Sequence, residues 1–119
     1  MSLNLKESDE ISSNLDILDN IRTAIIIIDS NFDYMYRNVA ADDILGSAKI
    51  LKKIDELPCD DISLITHINN VVQKNQSIML RDLKFKNFDR IEKICDCNIS
   101  QCVLNSNRCI LIEFNRYYC

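Results

Sequence analysis

One glycine, one proline, one histidine and no tryptophan occur among 119 residues, and each scarcity removes a class of chemistry. A single glycine cannot build the loops that cradle phosphates, which excludes Walker-type and Rossmann-type nucleotide binding. The sole histidine, His67, has no marked nucleophile in its sequence context, so no Ser-His-Asp constellation is available. Basic residues are scattered and outnumbered, 14 against 18 acidic, and the net charge of -4 argues against binding nucleic acid or an anionic membrane through phosphates. The longest unbroken apolar run, Ala24–Ile28, falls far short of the roughly 20 residues that span a bilayer. The first twenty residues are polar and acidic, without the basic-then-apolar order of a secretory signal, and the expected location is the cytoplasm.

What is present is the composition of one globular domain, 47% hydrophobic and 27% charged, long enough to bury a core without metals or disulfides. Six cysteines lie below the roughly 8–10% share of a disulfide scaffold, and a cytoplasmic chain keeps its thiols free. Their spacing fits no zinc pattern: Cys95 and Cys97 form a Cys-x-Cys pair, and Cys102 and Cys109 follow irregularly. Cys95, Cys97 and Cys109 read as small apolar core residues, with a redox or thiol role for Cys95 and Cys97 as the minority reading. The carboxylate pairs Asp42-Asp43 and Asp60-Asp61 are helix neighbours about 100° apart and cannot both face one substrate.

Apolar periodicity predicts a helix over 8–20, in which Ile11, Leu15 and Leu18 share a stripe. Four isoleucines in a row then predict a strand covered on both faces, followed by the turn Asp29-Ser30-Asn31 and a short strand over Tyr34–Arg37. Asn38 is a natural N-cap for a helix closed by Gly46. A weaker helical stretch over 48–57 stops at Pro58, and Asp60 or Asp61 caps a helix running to Lys74 with Leu64, Ile68 and Val71 inward.

Two strands are expected over 77–86 and 91–103 around Asn87-Phe88-Asp89. In the second, Ile91, Cys95, Cys97, Ile99 and Val103 are assigned to one face. After a turn at Asn105-Ser106-Asn107, the apolar run 109–112 predicts another central strand. This order predicts an α+β domain with an antiparallel sheet.

The segment Tyr36-Arg37-Asn38-Val39-Ala40-Ala41, followed by Ile44-Leu45-Gly46-Ser47, resembles PAS domains, whose second strand enters a helix through an Asn-x-Ala-Ala segment. The resemblance narrows at Ile17-Leu18-Asp19-Asn20-Ile21-Arg22-Thr23-Ala24, Asp96-Cys97-Asn98 and Leu111-Ile112-Glu113-Phe114. These are similar to the N-terminal sensor domains of nitrogen-regulation histidine kinases of the NtrB type. It covers about residues 11–118, with Val39 where that family commonly has proline.

The resemblance implies a five-stranded antiparallel sheet with helices on one face, the PAS domain occupying 21–119. A flanking helix over 1–20 would cover the other face, and Ile11, Leu15 and Leu18 would form a homodimer interface. It implies a sensor and dimerisation module that is not itself an enzyme and carries no cofactor. The kinase region would follow Cys119, and the parent would act on a response regulator under a PII-type protein. The alternative is a PAS sensor holding haem, flavin or a small metabolite. For haem, His67 lies on the helix that carries the iron ligand in haem-binding members, yet it reads better as a helix-surface histidine. For flavin, Cys59 lacks the surrounding Asn-Cys-Arg-Phe pattern. Asn38 would sit near the mouth of the PAS cavity, although its capping role is the favoured reading.

Overall fold

β-Branched side chains crowd a helix but pack well on a pleated sheet, and Ala24–Ile28 forms strand β1 with all five residues buried. A computed structural model describes residues 23–46, 53–54, 57 and 64–118. The expected helix over 8–20, Cys59, the Asp60-Asp61 pair and most of 48–57 lie outside the described residues. After β1 come β2 (Tyr34–Arg37), helix α1 (Val39–Leu45), helix α2 (Leu64–Lys74), and strands β3 (Ile78–Lys86), β4 (Glu92–Leu104) and β5 (Asn107–Tyr118). The five strands form one antiparallel sheet in the order β2-β1-β5-β4-β3. The two unbroken apolar runs are therefore neighbours inside the sheet, with Ile28 opposite Ile110 and Ile26 opposite Ile112.

Alternation along β1 divides the core in two. Ile26 and Ile28 join Ile99, Ile112, Phe85 and Phe114 beneath α1 and α2, whose Ala41, Ile44, Leu64, Ile68 and Val71 point onto this inner face. The Phe85 and Phe114 rings meet at 5.4 Å. Ile25 and Ile27 point the other way and cluster with Cys102, Leu104, Cys109 and Leu111.

Two side-chain assignments along β4 are corrected by this geometry. Ile91 precedes the strand and is 50% exposed, and Val103 is only half-buried. Beyond Ile99 burial passes to the opposite face, where Cys102 and Leu104 are buried. The inward position between Ile99 and Val103 is Gln101, whose Nε2 donates to the Val71 carbonyl (3.2 Å) and to Asn75 Oδ1 (3.0 Å), tying the end of α2 to the sheet.

The turns have specific causes. Asn105 and Ser106 both take positive φ, 52° and 65°, and Leu104 pairs with Asn107, so β4 and β5 are joined by a two-residue hairpin whose twist matches the strands. A register shift between Leu80 and Leu83, with Asp82 at φ 53°, bulges the edge strand β3. There the Asp82 amide donates to Asp96 Oδ1 at 3.1 Å.

Candidate functional site

Asn38 is fully buried and holds two segments together. Its Oδ1 accepts from the Ala41 amide, which caps α1, and also from the Ile25 amide, both at 2.9 Å. Its Nδ2 donates to the Thr23 carbonyl at 2.7 Å. The side chain is thus committed to backbone, joining the start of β1 to the start of α1. At the other end of α1, Gly46 has φ 103°, and the Leu45 carbonyl accepts from the Phe88 amide at 2.8 Å. The β3–β4 turn is thereby docked on the helix.

His67 is half-buried on the flank of α2, beside the buried row Leu64, Ile68 and Val71 and not within it. The inner face under that row is filled by Phe85, Phe114 and the isoleucines. Among the described residues His67 is therefore not one of the side chains that α2 turns onto the core. No group of three or more metal-ligating side chains is found among the described residues.

Cys95 and Cys97 are buried on the inner face, and Cys102 and Cys109 on the outer. Burial, and then the neighbouring Cys109, push the Cys102 thiol up to about 11. Burial and then Asp29 raise Cys109 as well. A nucleophilic cysteine needs the opposite shift, so these two are protonated thiols at neutral pH. Glu113 is half-buried, and desolvation holds its carboxyl above the usual range.

The described residues also form a cleft of about 240 Å³ where the β1–β2 turn, α2 and the start of β5 converge. Its apolar surface comes from Phe32, Ile68, Val72 and Ile110, and its polar groups include Asp29, Asn69 and Arg108. Asp29 organises the turn: its Oδ1 accepts from the Asn31 and Asp33 amides, both at 2.9 Å. Lys53 clips the same turn, donating to the Asn31 carbonyl and pairing with Asp33 at 3.0 Å. Sequence reasoning missed this cleft because four separate segments, the β1–β2 turn, α2, β4 and β5, make its walls. Only the turn residues at 29–31 carried a local signal.

Solved structures match this architecture along nearly its whole length. The PAS domain of nitrogen regulation protein NR(II) from Vibrio parahaemolyticus is 24% identical and superposes with a TM-score of 0.67, covering 87% of this chain and 96% of that one. The chain has the PAS fold. A PAS domain from a two-component sensor histidine kinase gives a TM-score of 0.72 at 10% identity, covering 94% of this chain and 100% of that one. The PAS domain of an HTR-like protein from Haloarcula marismortui gives 0.65 at 16% identity, covering 95% and 96%. No protein-family model and no curated protein matches the sequence. In this PAS fold no described helix is long and apolar enough to cross a membrane.

Proposed function

We propose that the chain is a non-catalytic sensor and dimerisation module of a cytoplasmic two-component histidine kinase, of the NtrB type that acts in nitrogen regulation. The observation that carries this reading is the likeness to the NR(II) domain, which extends over 87% of the chain. The sensor histidine kinase domain with the same fold supports the coarser part of it. In the parent, the kinase region would follow Cys119, and a response regulator and a PII-type protein would be its partners.

Dimerisation through Ile11, Leu15 and Leu18 belongs to the same proposal. It is supported by a second apolar cluster, Ile25, Ile27, Leu104 and Leu111, on the sheet face opposite α1 and α2. An apolar stripe on a short helix needs such a surface, because isolated helices below about 12–15 residues are marginal in water.

The decisive experiment is to sequence the gene past the codon for Cys119 and assay the encoded protein for phosphohistidine formation from ATP. A reading frame with a phospho-acceptor histidine, an ATP-binding region and measurable autophosphorylation is expected. A frame that ends without them overturns the kinase assignment.

A further inference from the structure

We propose that the cleft between the β1–β2 turn, α2 and the start of β5 binds a free aliphatic L-amino acid. This inference rests on the sensor reading and names the class of ligand. Three features of the cleft select that class.

The first is charge. Asp29 and Arg108 line the same cleft, and the ladder in which Ile28 faces Ile110 brings the chain on either side of them close together. They form no ion pair with each other, and the Arg108 side chain has no hydrogen-bond or ion-pair partner among the described residues. An anion held in its turn and an exposed cation on the walls of one cleft complement a zwitterion. A simple carboxylate would meet repulsion from Asp29, and a simple amine repulsion from Arg108. The planar guanidinium offers a fork of donors matched to a carboxylate. Asp29 keeps a second carboxylate oxygen beyond the one used in the turn, which suits an ammonium group.

The second feature is the apolar wall. Ile68 and Ile110 are buried, Phe32 is half-buried and packs on the core, and Val72 is 49% exposed on the α2 side. Exposed valine on a helix otherwise well segregated between apolar and polar faces is apolar surface that a ligand side chain would cover. The Asn69 amide, one helix position from Ile68, supplies a further polar group at the rim.

The third feature is size. At about 240 Å³ the cleft lies below the roughly 300–1,000 Å³ of sites for drug-sized ligands, and so favours a small metabolite. Its turn wall is already held by Asp29 and Lys53, which limits the ordering cost of binding.

The test is calorimetric titration of the purified chain with L-leucine, L-isoleucine and L-valine at millimolar concentration. Two probes with half of the zwitterion run beside them: 4-methylpentanoate, which lacks the ammonium, and 3-methylbutylamine, which lacks the carboxylate. Binding by at least one amino acid is expected, with both half-probes at least tenfold weaker. Arg108→Gln and Asp29→Asn should each weaken binding at least tenfold, and Asn at 29 retains the oxygen that holds the turn. Circular dichroism of both variants should match the parent. Absence of heat with all three amino acids, a half-probe as tight as the amino acid, or variants that bind like the parent would each overturn the proposal. Autophosphorylation of the full-length protein is read separately, so an empty cleft in an active kinase refutes the ligand and leaves the sensor module standing.

Discussion

Cys102 and Cys109 stand directly opposite each other across the β4–β5 ladder, on the sheet face away from both described helices. Each is nearly inaccessible, and Cys109 adds to the cost of ionising Cys102 in a setting already desolvated. With a pKa of about 11 in place of 9.0, Cys102 at pH 8 has roughly a hundredth of the thiolate of an ordinary cysteine. Cys95 and Cys97 are equally hidden on the other face. Alkylation of these four residues in the native protein should therefore be slow and should become rapid in denaturant. Mass spectrometry after timed labelling reads it, and fast native modification of Cys95 or Cys97 would revive a thiol role for the pair.

Asn38 should be irreplaceable even by another good capping residue. Asn38→Ala removes a helix cap, worth about 0.5–2 kcal/mol, and strands the buried Ile25 amide at a further cost of about 1–3 kcal/mol. Asn38→Asp keeps the accepting oxygen but loses the donor to the Thr23 carbonyl, placing a buried carboxylate against another acceptor. Urea unfolding should show both variants destabilised. An aspartate variant as stable as the parent would mean that the Thr23 contact contributes nothing.

Gly46→Ala should destabilise through two independent causes. The backbone at φ 103° lies where L residues are strained, at a cost of about 1–3 kcal/mol, and the new Cβ would sit 2.8 Å from Asp89 Oδ2 and 3.0 Å from the Asp89 backbone nitrogen. Adding Asp89→Ala should recover only part of the loss, because the backbone contact and the strain persist. Full recovery in thermal unfolding of the double variant would contradict this.

Glu113 makes a pH-dependent contribution of definite sign. Its folded-state pKa is raised by burial above the unfolded value near 4.5, so the folded chain holds the proton more tightly than the unfolded chain. The penalty for burying the carboxylate is absent below the unfolded value and sets in as pH rises through the folded one. Glu113→Gln should therefore be more stable than the parent at pH 7, with the difference shrinking toward pH 4. Paired denaturation curves across that range test it, and a constant difference would refute the assignment.

Dimerisation is expected to depend on the N-terminal stripe. Burying Ile11, Leu15 and Leu18 would contribute on the order of 5–9 kcal/mol before ordering costs. Leu15→Asp with Leu18→Asp should convert a dimer to a monomer in light scattering while circular dichroism stays unchanged. A parent chain that is monomeric at high concentration would end the proposal.

The elements that the sequence determined alone are those whose cause lies within a few residues. Four consecutive isoleucines cannot alternate between core and solvent, so a strand buried on both faces follows from β1 itself. Asn38 and Gly46 bracket a helix because capping and a positive φ are local requirements. A turn after Leu104 is likewise legible at Asn105-Ser106-Asn107, although Asn107 already pairs with Leu104 in β5 and only Asn105 and Ser106 make the turn.

Tertiary structure alone decided what these elements meet. The same residues of β4 fit two facial assignments until pairing with β5 and packing under α2 send Cys102 and Leu104 to the outer face and Gln101 inward to Val71. Asn38 was legible as a cap, but its bonds to Thr23 and Ile25 exist only because β1 and β2 pair beside α1. Arg108 carries no mark in the sequence that sets it apart from the other basic residues. It lines a cleft because the β1–β5 register carries it to the turn after β1, where α2 completes the wall. Local propensity is written in neighbouring side chains, whereas register and cleft geometry arise from contacts between distant segments that only the folded core brings together.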